Sequence, residues 1–371
     1  MKTAIVYDWI DKEGGIERVL PVIFGNFKNA DIFTSYYDKD RARWAKNFNI
    51  KITFLQNFPN FIKKSRLLSF IFYPYAFESL KLDDYDLVIS ITSSFSKSVI
   101  TKPETLHICY MLTPTRYFWI DETSYFKNPF IKIIGKLLIN SFKKWDYVAA
   151  QRPDYIFSIS KLVKQRVKKF YNRDSQIIYP CFDIDYWNKI KKTLQDNNPS
   201  YKKYYLLVSR LEPYKKVDIA IEAFNKLNKN LIIVGTGTLL NKLKKIAKKN
   251  IEFKQNISDK ELAVLYSSAE ALIMPQSEEF GLVALESQFF GCPIISFYKS
   301  GSAETTIDNK TAIFFNKQNG DSLAKAVVRF ESISYNLKTS AKKLNFEYFL
   351  RFDKKIFINK IDEYIKSLIL K

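Results

Sequence analysis

The segment best suited to chemistry in this 371-residue chain contains two glutamates eight residues apart, Glu278 and Glu286. They flank a Phe-Gly-Leu step at 280–282 that follows an apolar, strand-like run at 271–274. Backbone N–H groups at the start of a helix there could hold a pyrophosphate, and a glycine would allow close approach. One glutamate could accept hydrogen bonds from sugar hydroxyls and the other from a ribose diol. The pattern indicates a nucleotide-sugar site, against the alternative of a solvated acidic loop before an ordinary helix.

Two cations follow the first predicted strand in the second half of the chain. Arg210 and Lys215, within 209–218, could both reach a diphosphate and replace a metal ion there. The alternative is that they are surface cations. A Gly-Thr-Gly at 235–237 ends the next strand, but without a full GxGxxG and its acidic partner it does not indicate a nicotinamide site. A Gly-Gly pair at 14–15 could turn tightly toward a phosphate or sugar.

Size, charge and cysteine content limit the protein class. A chain of 371 residues exceeds one typical core, so we expect two domains. A formal charge of +21 favours an anionic partner. A nucleic acid is the least favoured such partner, because the sequence has no motif of interleaved aromatic and basic residues typical of nucleic-acid binding. Three widely spaced cysteines and no signal-like start predict a reducing compartment, without disulfides or structural zinc. Lysines interrupt every long apolar run, so no membrane-spanning helix is expected.

Short apolar runs alternate with longer amphipathic segments, a pattern typical of βα units in parallel sheets. The expected strands are 3–7, 85–91, 105–111, 155–158, 204–209, 230–234, 271–274 and 293–297. A polar segment at 188–202 predicts a linker between an acceptor-side domain, 1–187, and a nucleotide-sugar domain, 203–354. The predicted fold is α/β, with two facing, doubly wound, Rossmann-like domains and a cleft between them.

One segment predicts contact with a membrane surface. Residues 61–72 interleave bulky apolar side chains with Lys63, Lys64 and Arg66, as in helices that lie in an anionic interface. The alternative is a helix packed into the core. The final segment, from 356 to 370, predicts another amphipathic helix.

The motifs 14–19, 209–218, 234–237 and 278–286 resemble, in that order, the family 4 retaining glycosyltransferases of the GT-B fold. The segments 107–117 and 179–183 resemble the bacterial O-antigen mannosyltransferase-like branch of this family. The resemblance covers nearly the whole chain and is most specific in the second half. It implies that the closing helix, 355–371, packs back on the first domain.

The resemblance also implies roles for single residues. Arg210 and Lys215 would bind the donor diphosphate and Glu278 the transferred sugar, and these three would form the catalytic set. The other implied donor-binding residues, which would contact phosphates or ribose, are Gly15, Gly235, Phe280, Gly281, Leu282 and Glu286. No metal or cofactor is implied, and the favoured substrate is GDP-mannose.

The acceptor side departs from the family pattern. The branch usually carries His directly before the Thr-Pro that ends this strand, and here that residue is Leu112. His107 lies five residues earlier, faces the other side of an alternating strand and is expected to be structural. By the resemblance the donor's leaving phosphate serves as base, so the missing His need not abolish turnover. Arg116, Tyr117 and Trp119 remain as candidates for binding a phosphate or sugar of the acceptor.

Together these features predict a retaining, metal-independent hexosyltransferase. Its acceptor would be a polyprenyl-diphosphate-linked or growing surface glycan, as in O-antigen or lipopolysaccharide synthesis. We expect it in the cytoplasm, peripheral on the inner face of the plasma membrane. The Asp-Ile-Asp at 183–185 resembles a metal-binding DxD but is predicted to be an interdomain turn. The alternatives are a nucleotide-sugar epimerase of the same architecture and a catalytically silent glycan-binding subunit.

Overall fold

The computed structural model describes residues 1–63, 66–121, 129–194, 203–344 and 346–369. The chain forms two compact units. The first comprises Met1–Pro180 together with Phe357–Lys371, and the second comprises Cys181–Ile356. Each unit has its own parallel sheet and its own core.

The sheet of the first unit has the strand order β3-β2-β1-β4-β5-β6-β7. In the described residues its strands are β1 Thr3–Tyr7, β2 Asp31–Thr34, β3 Ile50–Ile52, β4 Leu87–Thr92, β5 Leu106–Met111, β6 Tyr155–Ser158 and β7 Gln176–Ile177. The helices are Leu20–Asn26, Asn60–Lys63, Arg66–Ser69, Tyr73–Glu78, Arg116–Trp119, Pro129–Ala149 and Lys161–Tyr171. All residues of β1 and β4 are buried, because helices cover both faces of the sheet.

The sheet of the second unit has the strand order β10-β9-β8-β11-β12-β13. Its described strands are β8 Tyr205–Val208, β9 Leu231–Val234, β10 Ile251–Lys254, β11 Leu272–Met274, β12 Ile294–Phe297 and β13 Ala312–Phe315. The helices are Ile184–Thr193, Val217–Leu227, Leu240–Ile246, Asp259–Ser268, Leu282–Phe289, Gly320–Lys342 and Phe346–Leu350. The eight expected strands all form, with ends shifted by no more than two residues, and the prediction of two doubly wound sheets is confirmed.

Both sheets reverse their winding direction at one point. The chain runs outward from β1 to β3 on one side and from β4 to β7 on the other, so the first sheet reverses between β1 and β4. The second sheet reverses between β8 and β11 by the same criterion. Ligands of such sheets bind beyond the carboxyl ends of the strands at this switch point. A ligand site is therefore expected among the residues that follow these four strands.

The closing helix, Lys354–Ile369, packs on the first unit from Phe357 onward. The ring of Phe357 lies 6.0 Å from that of Tyr110, and Asp362 accepts a hydrogen bond from the Asn26 side chain at 2.9 Å. Phe357, Ile361 and Ile365 are buried along one face, because apolar residues recur there at helical spacing.

The predicted linker differs from the structure. Its first part lies in the helix Ile184–Thr193, which Asp183 caps by accepting from the Tyr186 amide at 3.0 Å. The helix forms because Trp187 is buried on one of its faces. Lys354 binds Asp183 at 3.5 Å and Asp185 at 3.0 Å, so both carboxylates of the DxD-like motif pair with a lysine. Residues 195–202 of the predicted linker lie outside the described part of the chain.

The three cysteines, Cys109, Cys181 and Cys292, are free and buried. Burial raises the pKa of each thiol to about 12, so they are uncharged and poorly reactive at neutral pH. Among the described helices, none combines the length and the apolar character that crossing a bilayer requires.

Candidate functional site

An ion pair marks the switch point of the second unit. Lys215, in the loop after β8, places its ammonium 2.7 Å and 3.0 Å from the two carboxylate oxygens of Glu278, in the loop after β11. Both side chains are largely buried, with exposed fractions of 11% and 21%. The structure therefore brings together two of the three predicted catalytic residues, which lie 63 positions apart in the sequence.

Three further contacts hold Glu278 in place. The Gln276 side-chain amide donates to its carboxylate at 2.8 Å, and its own backbone N–H donates to the Ser300 hydroxyl at 3.0 Å. Gly301, in the loop after β12, donates to the Glu278 carbonyl at 2.6 Å. The sequence prediction missed Gln276 and Ser300. The one available signal for Ser300 was its place in a Ser-Gly-Ser turn directly after a predicted strand.

Arg210, the third predicted catalytic residue, shares an aromatic neighbour with Lys215. The Tyr214 ring centre lies 5.9 Å from the Arg210 guanidinium carbon and 5.3 Å from the Lys215 ammonium. The face of an aromatic ring attracts cations. Tyr214 thus has two positive groups near its ring, one of which pairs with Glu278, and two cations suit a ligand with more than one negative charge.

Gly281 begins the helix Leu282–Phe289 in the left-handed region, with φ +98. A Cβ atom there would lie 3.2 Å from both the Cα and the Cβ of Ser302, so a larger residue would meet strain and crowding together. The preceding Phe280 is buried and packs edge-on against Phe352. These contacts place the Phe-Gly-Leu amides at the start of the helix, as the sequence predicts.

Glu286 lies deeper in the same helix. Its side chain is buried and accepts a hydrogen bond from the Tyr266 hydroxyl at 3.0 Å. Tyr266 belongs to the helix Asp259–Ser268, which starts with a capping box formed by Ser258 and Glu261. The sequence prediction missed Tyr266, which orients the carboxylate expected to bind ribose.

A cavity of about 230 Å³ lies next to the helix Asp259–Ser268, beyond the carboxyl end of β10. Its lining residues are Lys254, Gln255, Ile257, Glu261, Val264 and Leu265. The lining combines apolar side chains with the charged Lys254 and Glu261. Leu265 in its wall directly precedes Tyr266, so one helix contacts both the cavity and Glu286.

Close packing of two backbone segments requires glycine at position 235. It follows β9 with φ +150, and a Cβ atom there would lie only 1.9 Å from the carbonyl oxygen of Ser209. The backbone after β9 therefore crosses directly against the backbone after β8, at the start of the loop that carries Arg210 and Lys215. The predicted contact of Gly235 with the donor stays a prediction.

The switch point of the first unit is built around a buried carboxylate. Asp8, directly after β1, accepts hydrogen bonds from the backbone N–H groups of Ser93, Phe95 and Ser96 at 2.7–2.9 Å. Asp8 thereby fixes the turn that follows β4. The sequence prediction missed this role, although an aspartate after one strand and a serine-rich turn after another are visible in the sequence.

The glycine pair of the first unit lies in a bend, as expected, but Gly15 does not adopt a backbone conformation that requires glycine. Gly15 has ordinary right-handed angles, φ −61 and ψ −48, at the start of a short 3-10 turn, Ile16–Arg18. Such angles suit any residue, so backbone freedom does not explain this glycine. The nearby Glu17 is buried and accepts from the Tyr7 hydroxyl at 3.4 Å.

The polar side-chain atoms of Arg116, Tyr117 and Trp119, the acceptor-side candidates, contact other residues of the first unit. Arg116 pairs with Asp121 at 2.7 Å, and the Tyr117 hydroxyl donates to Ser94 at 2.6 Å. The indole N–H of Trp119 donates to the buried carboxylate of Asp146 at 2.7 Å. These contacts help to fold the turn, and the predicted role of the three residues in binding an acceptor stays a prediction.

Leu112 and His107 lie on the central strand region of the first unit. Leu112 is buried, and its backbone N–H donates to the Thr92 carbonyl at 2.8 Å. His107 is completely buried, with Nε2 2.9 Å from the Ser90 hydroxyl. Burial lowers the pKa of its imidazole to about 3, so the ring is neutral. This agrees with the expectation of a structural histidine.

Comparison with known proteins finds a family match for part of the chain. Residues 189–344 match the model of the family described as glycosyl transferases group 1. The match lies within the second unit and covers less than half of the chain. This agrees with the site geometry, because Arg210, Lys215, Glu278 and Glu286 all lie within the matched residues.

The relatives found are distant. An uncharacterized glycosyltransferase of Methanocaldococcus jannaschii is 26% identical over 54% of this chain and 58% of the relative. The alpha-1,3/1,6-mannosyltransferase ALG2 of Homo sapiens is 27% identical over 45% of this chain and 46% of its own length. The O-antigen chain mannosyltransferase RfbU of Salmonella typhimurium is 25% identical over 72% and 73%. The chain thus spans about half the length of the first two relatives.

Solved structures agree on the fold. HepE of Anabaena, crystallised with UDP and glucose, has a TM-score of 0.70 and 17% identity, covering 99% of this chain and all of HepE. WaaG, a glycosyltransferase involved in lipopolysaccharide biosynthesis, has a TM-score of 0.63 and 16% identity, over 96% of this chain and 98% of WaaG. These likenesses confirm the predicted GT-B fold class.

Proposed function

We propose that this protein is a glycosyltransferase that moves a hexose from a nucleotide diphosphate sugar to a glycan acceptor. The observation that carries the proposal is the Lys215–Glu278 pair at the switch point of the second unit. A lysine there can neutralise a diphosphate, and a carboxylate can accept hydrogen bonds from sugar hydroxyls. ALG2 and RfbU are both mannosyltransferases by description, which favours GDP-mannose, while HepE with UDP-glucose supports testing uridine nucleotides beside it.

In the proposed reaction the donor diphosphate approaches Arg210 and Lys215. The ammonium of Lys215 shifts from Glu278 toward phosphate oxygens, and Glu278, still held by Gln276, binds the sugar. The bond from the anomeric carbon to the diphosphate breaks, and a bond to the acceptor oxygen forms on the same face. The acceptor proton moves to the leaving phosphate. The two cations supply the charge compensation for which a metal ion would otherwise be needed.

The remainder of the nucleotide is proposed to extend along the second unit. Glu286, oriented by Tyr266, would accept hydrogen bonds from the ribose diol. The base would enter the cavity lined by Ile257 and Leu265, because the helix that carries Tyr266 also forms its wall. Backbone amides at 280–282 would contact the phosphates.

Calorimetry on two variants tests these assignments. Glu286→Ala should weaken nucleoside diphosphate binding roughly 10- to 100-fold, because a hydrogen bond to a charged group contributes about 1.5–3 kcal/mol. Glu278→Ala should bind the nucleotide normally yet transfer sugar slowly. Equal loss of nucleotide affinity in both variants would contradict the assignment.

The same samples separate the alternative functions. Transfer is measured with GDP-mannose and with UDP-glucose as donor, and NMR gives the anomeric configuration of the product. Parallel reactions with and without chelator test whether a metal ion is needed. Retention and a chelator-insensitive rate are expected. Isomerised donor without any acceptor would indicate an epimerase. Nucleotide binding with no transfer to any prenyl-diphosphate-linked acceptor would indicate a silent subunit.

We further propose that the first unit rests on an anionic membrane surface, where a lipid-linked acceptor would be held. Near Lys63, four large apolar side chains are exposed: Phe61 (69%), Leu68 (49%), Ile71 (40%) and Tyr75 (69%). Exposed apolar groups beside cations suit the interface of an anionic bilayer. Of the predicted basic cluster, Lys64 and the side chain of Arg66 lie outside the described residues.

Vesicle sedimentation tests this surface. Changing Phe61 and Tyr75 together to serine should reduce binding to phosphatidylglycerol vesicles about 10-fold or more, since burying one large apolar side chain contributes about 1.5–3 kcal/mol. Tyr335→Ser is the matched control, because Tyr335 is 82% exposed but lies in the second unit. Equal binding of all variants, or binding that ignores lipid charge, would show that the segment has no membrane role.

A further inference from the structure

A buried glutamine beside the Lys215–Glu278 pair keeps one hydrogen-bonding atom unused. Gln276 is 3% exposed, and its amide nitrogen donates to Oε2 of Glu278 at 2.8 Å. Its carbonyl oxygen, Oε1, is buried and has no hydrogen-bond partner in the part of the chain that the structure describes. The orientation of the amide follows from its chemistry, because the reverse orientation would place a carbonyl oxygen against a carboxylate.

An unpaired carbonyl is costly inside a protein. A buried acceptor without a donor keeps a desolvation penalty that a hydrogen bond would offset, so most buried polar side-chain atoms are paired. Gln288, buried in the same unit, shows the ordinary arrangement. Its nitrogen donates to the carbonyl of Thr305, and its oxygen accepts from the Thr311 hydroxyl at 2.7 Å. What Gln276 lacks by comparison is a donor, which a ligand can supply.

Lys215 occupies the space next to this amide. Its ammonium and the nitrogen of Gln276 both donate to the same oxygen, Oε2 of Glu278, at 2.7 Å and 2.8 Å. In the proposed reaction the ammonium shifts toward the donor diphosphate. That shift leaves room beside Oε2 and beside the amide, and the sugar of the donor then becomes the neighbour of both side chains.

Two neighbouring acceptors suit a ligand with two neighbouring donors. The carboxylate of Glu278 and the carbonyl of Gln276 both accept hydrogen bonds, whereas a phosphate offers mainly acceptor oxygens and does not match them. Adjacent hydroxyls on one hexose ring supply such a pair of donors. A site built to bind a hydroxyl discriminates strongly against the deoxy analogue, because a buried polar group is then left unpaired.

We infer that Gln276 is a specificity-determining residue, whose carbonyl oxygen accepts a hydrogen bond from the hydroxyl of the transferred hexose that is adjacent to the one bound by Glu278. The inference rests on the proposed glycosyltransferase function and adds how the sugar of the donor is selected. The amide nitrogen keeps its hydrogen bond to Glu278, so one side chain orients the carboxylate and binds the neighbouring hydroxyl.

Kinetics with deoxy donors test the inference. The probes are GDP-mannose or UDP-glucose, whichever the wild type transfers, and analogues of that donor that each lack one sugar hydroxyl, at saturating prenyl-diphosphate-linked acceptor. In the wild type, removing either of two adjacent hydroxyls should lower kcat/KM about tenfold or more. In Gln276→Met one of these two effects should shrink to about twofold or less, while the other persists. Nucleoside diphosphate affinity should stay within about twofold of wild type.

Thermal unfolding separates this role from a structural one. Gln276→Met removes an amide whose oxygen is unpaired in the folded protein, so it should lower Tm only slightly. Gln288→Met is the matched control, because it also replaces a buried glutamine of the second unit but removes an amide that is bonded at both atoms. It should lower Tm more. An equal fall in both variants, or a larger one in Gln276→Met, would indicate a packing role for Gln276 and contradict the assignment.

Gln276→Glu is a second kinetic variant. It keeps an oxygen acceptor at the same distance along the side chain, so discrimination against the same deoxy donor should remain, although the added charge beside Glu278 should slow transfer. Wild-type protein that binds nucleotide but transfers nothing would overturn the proposed function. Active wild type would overturn only the specificity role if Gln276→Met kept both tenfold effects, or if Gln276→Glu lost one of them.

Discussion

Replacing Lys215 with alanine is expected to slow sugar transfer about 100- to 1,000-fold, the loss typical when one group that stabilises developing negative charge is removed. The ammonium lies 2.7 Å from Glu278, so the change removes the cation for the leaving diphosphate and leaves the carboxylate without its ionic partner. Nucleotide affinity should fall as well. Initial rates at saturating donor and acceptor measure the effect.

Lys216→Asn is the matched control. Lys216 is the next residue and has a left-handed backbone, φ +53, which asparagine adopts readily. The Lys216→Asn substitution removes one positive charge from the same loop without disturbing the turn. If both variants lose activity equally, general charge rather than the position of Lys215 would explain the result. Transfer by Lys215→Ala within about threefold of wild type would contradict the proposed role.

Stability is expected to fall steeply as the pH is lowered from 6.5, because of His107. Burial lowers its pKa from 6.5 in the unfolded chain to about 3 in the folded protein. The unfolded state therefore binds more protons in this window, and the stability that the neutral ring contributes is complete above pH 6.5. It is lost at about 1.4 kcal/mol per pH unit on acidification, up to about 5 kcal/mol near pH 3.

Urea unfolding between pH 6.5 and 5.5 measures this slope, with His107→Gln as the comparison. His107 is the single histidine of the chain, so the variant removes the one side chain whose ordinary pKa lies in this window. Glutamine can keep a hydrogen bond to Ser90. The free energy of unfolding of the variant should be nearly flat over this range. If the free energy of unfolding changed with pH equally in both proteins, protonation of His107 would not destabilise the folded state, and the prediction would be wrong.

The sequence by itself determined which segments form the central strands and which loops carry the candidate donor-site residues. Buried parallel strands are apolar on both faces, so β1, β4 and β8 appear as continuous apolar runs. Residues that follow such runs must lie at the carboxyl edge of a sheet, which located Lys215 and Glu278 correctly. Local spacing also located the helix start at Gly281. Five of the described strands were not predicted: β2, β3, β7, β10 and β13. For β3 and β7 the reason is that three or two half-exposed residues carry no periodic signal.

Only the tertiary structure decided which side chains meet. Lys215 pairs with Glu278 because β8 and β11 are neighbours, and no local pattern encodes that adjacency. Glu286 is oriented by Tyr266 from another helix, and Asp146 reaches Trp119 across two segments. The partners of Arg116, Tyr117 and Trp119 were not visible in the sequence, because a side chain's hydrogen-bond partner depends on strand order, register and helix packing. These features bring distant residues within about 3 Å of each other, a distance that spacing along the chain does not contain.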